Sequence, residues 1–189
     1  MQPIHVTLPL SAEAVRSLRV GDLVLLSGPV LTARDAAHKR LADMIGRGDT
    51  LPVDLTGQTI YYVGPSPAPK GRPVGSAGPT SSYRMDRYTP LLLKCGVNGM
   101  IGKGRRGDAV LEAMRGYGAV YFGAVGGAAA LLARAITASE DVAFPDLGTE
   151  AIRRFTLKDF PAIVLADSGG HDYFGDMKER FFISGDRTE

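Results

Sequence analysis

The sequence predicts an α/β domain with strands and helices layered around one core, and three observations predict it. Short apolar runs of strand length alternate with amphipathic helical segments. Strand-like runs outnumber what a plain βαβ alternation requires, which favours mixed sheet layers with flanking helices. At 189 residues the chain suits one well-buried core better than two, so a single domain over 1–189 is expected.

Taken in order, IHVTL reads as a strand, and SAEAVRSL as a short helix that Ser11 caps. DLVLLSG is a buried strand. TARDAAHKRLADMIGRG places Ala37, Leu41, Met44 and Ile45 on one helical face and closes at Gly46 or Gly48, with Arg34 and Asp35 in the first turn. QTIYYVGP is a strand that enters the loop PSPAPKGRPVGSAGP, too long and too rich in Pro and Gly for a simple connection. Thr80 is expected to cap a helix through SSYRMDRY, and Thr89 and Pro90 to restart it. GMIG and AVYFGA are strands on either side of the helix DAVLEAMRGYG, and GGAAALLARAI is a small-residue helix. EAIRRFTL and PAIVLADS read as two separate strands, followed by a C-terminal helix or coil.

Composition narrows the function. The net charge is +2 with the basic residues scattered, too little for a nucleic-acid footprint, and an acidic small molecule remains open. No apolar run is long enough to span a bilayer, and the N-terminal segment lacks the pattern of an export signal, so the expected compartment is the cytoplasm. One cysteine, Cys95, and three distant histidines, His5, His38 and His171, give no metal-ligand spacing. Cys95 lies in a leucine-rich helix and reads as a small core residue, whereas His38 suits a helix surface as well as a polar role at a site.

Two arginines are placed against helix dipoles. A cation in a first turn is unfavourable for stability, yet Arg34 and Arg84 both take that position. If Thr80 caps, the free amides after it and Arg84 one turn along form an anion site; the alternative is a plain cap, with Arg84 paired to Asp35 or Asp86. Arg34 and Arg84 can each fork onto a carboxylate, and with Lys103 they suit a small dicarboxylate. GKGRRG, 102–107, matches G-x-G-x-x-G between a strand and a helix, but AVYFGAVGGAAA offers no acid to hold a ribose, so a dinucleotide site is disfavoured. A P-loop fails because Val97 and Gly104 stand where Gly and Ser or Thr are required.

GDLVLLSGPVLTARDAAHKRL, GSAGPTSSYRMDRYTPLL, GMIGKG and GTEAIRRFTLKDFPAIVLADSGG resemble, in order and spacing, the beta subunit of two-subunit class I fumarate hydratases and the related tartrate dehydratases. The resemblance implies a swivelling β/β/α domain and a hydro-lyase that interconverts fumarate and (S)-malate. It also implies a partner alpha subunit carrying a four-iron, four-sulfur cluster on three cysteines, in an alpha2beta2 hetero-oligomer, with no metal ligand in this chain. By the same resemblance Arg34, Thr80, Ser81, Arg84 and Lys103 contact substrate, and Thr80 is the candidate catalytic base, with positioning as its alternative role because an alcohol is a weak base. Ser81 departs from the threonine usual in the family. The alternatives are an L(+)-tartrate dehydratase beta subunit and a dicarboxylate-binding module of the same fold without catalysis.

Overall fold

A computed structural model describes residues 2–124 and 129–175. Among the described residues the strands and main helices follow in the order β1 (Ile4–Thr7), α1 (Ala12–Ser17), β2 (Leu23–Thr32), α2 (Asp35–Arg47), β3 (Thr59–Tyr61), α3 (Thr89–Lys94), β4 (Gly99–Gly102), α4 (Asp108–Tyr117), β5 (Val120–Gly123), α5 (Ala129–Leu132), β6 (Ile136–Ala143) and β7 (Ile152–Ala166). Single 3-10 turns lie at Ser82–Met85 and Ala133–Ala135, and two turns broken at Gly148 span Pro145–Glu150.

β1 to β5 run parallel, with Ile4 opposite Val24, Leu31 opposite Ile60, Ile60 opposite Met100 and Met100 opposite Tyr121. β7 lies antiparallel to β5 on one side and to β2 on the other, so the pairing β2-β3-β4-β5-β7 returns to β2 and the sheet curls onto itself. This is the expected mixed α/β architecture of sheet with flanking helices. Alternation along the strands sorts side chains between two cores. Tyr61, Ile101 and Phe122 join Leu26, Val30 and Phe160 inside the curl, whereas Ile60, Tyr62, Met100 and Tyr121 face the layer of α2, α3 and α4. Helix packing on that outer face uses Ala37 and Leu41 of α2, Leu92 and Leu93 of α3, and Val110 and Met114 of α4.

Local signals behave as their chemistry dictates. Ser11 Oγ accepts the Ala14 N–H and starts α1, and Gly48, left-handed at φ 73°, ends α2. Three elements differ from expectation. EAIRRFTL and PAIVLADS form one fifteen-residue strand, β7. It passes through Pro161 between the stretch paired to β6, which ends at Leu157, and the stretch paired to β5, which begins at Ile163, so only β2 flanks the proline. β6 was not expected at all. The small-residue helix ends earlier than GGAAALLARAI, at Leu132 before a 3-10 turn; of the expected C-terminal helix or coil, residues 173–175 are helical, and residues 176–189, like 125–128, lie outside the described residues.

Candidate functional site

Arg34 follows β2, Gly64 follows β3 and Lys103 follows β4, so all three stand beyond the carboxyl ends of adjacent parallel strands, where open α/β sheets bind ligands. The segment Thr80–Ser82 is laid between the extensions of β3 and β4. Thr80 donates its N–H to the Tyr62 carbonyl at 2.7 Å, Ser82 donates its N–H to the Lys103 carbonyl at 2.9 Å, and Ser81 bridges Lys103 in parallel pairing.

That pairing corrects the expected helix cap. The Thr80 and Ser82 amides are spent on strand carbonyls, and a four-residue 3-10 turn begins only at Ser82, behind Ser81, which makes no side-chain cap. No array of free helix amides arises beside Thr80. Thr89 likewise does not cap: it is the first residue of α3, and its hydroxyl donates to the Met85 carbonyl at 3.0 Å.

Ser82 ties this segment down. Its Oγ accepts the Lys103 N–H at 3.1 Å and lies 2.9 Å from the Tyr121 hydroxyl, which donates to the Gly104 carbonyl at 2.9 Å. Burial pushes the Tyr121 hydroxyl up, so it keeps its proton, and the Ser82 hydroxyl is the donor between them. Gly102 makes room for this, because a Cβ there would strike Ser82 Oγ.

Arg84 sits in the 3-10 turn, 42% exposed, and grips Asp35 with Nε 2.9 Å from Oδ1 and Nη2 2.9 Å from Oδ2. This settles the pairing between Asp35 and Asp86 in favour of Asp35, and it draws Arg84 to the start of α2 beside Arg34. Arg34 stands at the N-cap position rather than in the first turn, and its side chain does not cap. Its Nη2 lies 3.7 Å from Glu150 Oε1, while its Nε is buried with no acceptor among the described residues. Lys103 is exposed and makes no ion pair among the described residues. Among the described residues Arg34 pairs with Glu150, Arg84 with Asp35 and Lys103 with no acid, so the three cations keep a positive balance over their partners that suits an anion.

Two residues that local pattern does not reveal organise the site. Glu150 Oε2 accepts the Ala36 N–H at 2.8 Å from 114 residues away and occupies the N-terminus of α2. Arg106, the second arginine of GKGRRG, is fully buried. Its Nε donates to Asp86 Oδ1 at 2.7 Å, its Nη2 to Thr89 Oγ1 at 2.7 Å, and its guanidinium rests 5.3 Å from the Tyr62 ring centre and 5.1 Å from that of Tyr121.

His38, one turn into α2, is completely buried rather than on a helix surface. Its Nδ1 is 2.9 Å from the Arg34 carbonyl, which can only accept, so Nδ1 carries the proton and Nε2 is left bare. Tyr62 meets the ring edge-on at 5.2 Å. Burial lowers His38 to about 4, with the bond to Arg34 opposing and Arg106 nearby adding. Below the ordinary value of 6.5 the unfolded chain therefore takes up a proton that the folded chain refuses, and stability falls as pH drops toward 4. The slope from this residue is about 1.4 kcal/mol per pH unit. Urea denaturation at pH 7 and pH 5 is expected to show His38→Gln losing about 2 kcal/mol less than the parent chain between the two; equal losses would refute the assignment.

Cys95 is half-buried at the end of α3 and packs against the outer core. Among the described residues no three His, Cys, Asp or Glu side chains gather to hold a metal ion, and no helix is long and apolar enough to cross a membrane.

The description "Fumarase C-terminus" matches residues 1–177. The chain is 43% identical over 157 residues to "Fumarate hydratase class I, anaerobic" of Escherichia coli strain K12, covering 82% of this chain and 29% of that protein. To "Fumarate hydratase 2" of Leishmania major it is 39% identical, covering 82% and 28%. To the "Putative L(+)-tartrate dehydratase subunit beta" of Methanocaldococcus jannaschii it is 35% identical over 179 residues, covering 92% of each. The chain thus spans less than a third of the length of these two fumarate hydratases and nearly all of the tartrate dehydratase subunit.

Proposed function

The chain belongs to the fumarase C-terminus family, and on that premise we propose that it is the substrate-holding beta subunit of a hydro-lyase that reversibly adds water to fumarate to give (S)-malate. The convergence of Arg34, Arg84, Lys103 and Thr80 beyond β2, β3 and β4 carries this reading. A planar guanidinium gives a carboxylate two parallel bonds, and the unpaired Nε of Arg34 is a donor in need of such an acceptor. Arg34 and Arg84 hold the carboxylates of a four-carbon diacid. Lys103 adds a mobile charge beside Ser81.

In the direction of dehydration a proton leaves the carbon next to a carboxylate, and negative charge spreads into that carboxylate. Fixed cations already in place stabilise the charge without reorganising. Thr80 is the residue nearest the role of proton acceptor. An alcohol is a weak base, and the adjacent cations are what make its deprotonated form accessible. Ser81 holds the neighbouring hydroxyl to the substrate.

Loss of the hydroxyl group needs an electrophile. A four-iron cluster with one iron left open takes three thiolates, and with Cys95 alone this chain does not fit one. In this reading an alpha subunit supplies the cluster, and the site is completed between the two chains of an alpha2beta2 assembly. The near-complete match to a tartrate dehydratase beta subunit supports a second reading, in which the diacid is L(+)-tartrate.

The test is anaerobic reconstitution with iron and sulfide of this chain alone and of the chain co-expressed with its cluster-bearing partner. The pair is expected to hydrate fumarate with a higher kcat/KM than it dehydrates tartrate, and the single chain to be colourless and inactive. A preference for tartrate would transfer the assignment to the second reading. An active single chain, or a cluster-loaded pair that turns over neither diacid, would overturn the proposal.

A further inference from the structure

The segment between β6 and β7 is strapped onto α2 at both ends. At one end Arg40 forks onto Asp146, with Nη1 2.8 Å from Oδ1 and Nη2 2.7 Å from Oδ2, and its guanidinium covers the Phe144 ring at 4.8 Å. At the other end the Glu150 carboxylate divides its two oxygens. Oε2 accepts the Ala36 N–H at 2.8 Å, and Oε1 faces Arg34 Nη2 at 3.7 Å, with both side chains about three-quarters buried at 23% and 24% exposure.

Arg34 is thereby enclosed. On its other side lies Gly64, where an added Cβ would come within 2.5 Å of Arg34 Nη1, 2.9 Å of its Cδ and 3.2 Å of the Thr149 carbonyl. The side chain of Arg34 runs in a slot one backbone wide, between Gly64 and the end of the strap. Beneath it, His38 Nδ1 donates to the Arg34 carbonyl at 2.9 Å. Within this slot Nη2 faces Glu150, and Nε is buried with no acceptor among the described residues.

The geometry points to Glu150 as the positioning residue of Arg34: it faces Nη2 from the end of the strap and so holds the guanidinium in the slot from which it meets the substrate carboxylate. The inference rests on Arg34 holding that carboxylate, as proposed above. Glu150 touches no reacting atom and acts through Arg34. The rival role is a plain cap of α2, which needs only an acceptor for the Ala36 N–H. Glutamine supplies that acceptor equally well but removes the charge that draws Nη2, so the two roles separate in one substitution.

The experiment is a double-mutant cycle of Glu150→Gln and Glu150→Ala, each alone and combined with Arg34→Ala, on the cluster-loaded two-chain enzyme. It is paired with the Nε–H resonance of Arg34 in the nuclear magnetic resonance spectrum of the full chain. Glu150→Gln is expected to keep the melting temperature and to lower kcat/KM about tenfold. Glu150→Ala is expected to lower it up to a hundredfold, and neither is expected to matter further once Arg34 is alanine. The Arg34 Nε–H signal is expected to shift toward the position of a solvent-exposed arginine in both single variants. Equal losses with and without Arg34 would overturn the inference, as would wild-type kinetics in Glu150→Gln or an unmoved Nε–H signal. If the parent enzyme turns over neither fumarate nor tartrate, the functional reading fails by itself, and the resonance still decides whether Glu150 positions Arg34.

Discussion

Arg34→Lys and Arg84→Lys are each expected to lower kcat/KM of the assembled enzyme about a hundredfold, some 3 kcal/mol of transition-state stabilisation, with the net charge unchanged. Lysine offers a point charge on a flexible stem in place of a planar fork. At Arg34 it also forfeits the Nη2 that faces Glu150. At Arg84 it forfeits the two-point grip on Asp35 that holds the 3-10 turn against the start of α2. Arg84 is 42% exposed and lysine keeps the charge at both positions, so folding is expected to change little. Steady-state kinetics on the purified pair, with melting curves alongside, check both substitutions. Near-normal kcat/KM in the two variants would remove the dicarboxylate clamp from consideration.

The proposed clamp was picked out in the sequence because a cation at a helix start opposes the dipole and a lysine held between glycines stands out. Arg34 and Arg84 sit at or near helix starts, and Lys103 lies between two glycines at a strand end. The expected arrangement around Thr80 was not what forms, because the choice between a helix cap and an inserted strand depends on carbonyls offered by Tyr62 and Lys103, remote in sequence. Glu150 and Arg106 were invisible for the same reason. Their partners lie 114 and 20 residues away, and nothing in a local window distinguishes either from a surface charge. β6 escaped notice because only Ile136 and Ala143 of its eight residues are buried, so no apolar alternation marks it. It is held at the edge by β7 and by the cross-strand pairs Glu140 with Arg154 and Asp141 with Arg153. β2, β4 and β5 were read as strands, since Val24, Leu26, Ile101 and Phe122 must find apolar neighbours whatever the topology.

Arg106→Leu is expected to destabilise the chain by about 3–5 kcal/mol, the range for removing one partner of a buried ion pair. The leucine fills part of the volume but satisfies none of the groups that converge on the guanidinium. Asp86, 22% exposed, would lose its Nε partner, and Thr89 Oγ1 would lose the Nη2 donor while remaining buried. The faces of Tyr62 and Tyr121 would lose the cation between them. For a chain of this length the loss corresponds to a fall in melting temperature on the order of 10 °C. Arg106 also joins the two loops that bear the site. Asp86 closes the turn that carries Arg84, and its second oxygen accepts the Gly107 N–H at 2.7 Å just beyond Lys103, where α4 begins. Arg106→Lys keeps the charge and one donor, and is expected to recover part of the stability without restoring the alignment of Arg84 and Lys103. Its kcat/KM should therefore remain depressed at temperatures well below its melting transition. Denaturant titration of both variants, with kinetics on the assembled pair, separates the two effects. A stability loss under 1 kcal/mol in Arg106→Leu would show that the guanidinium is not the anchor of these loops, and full activity in Arg106→Lys would show that anchoring does not depend on its fork.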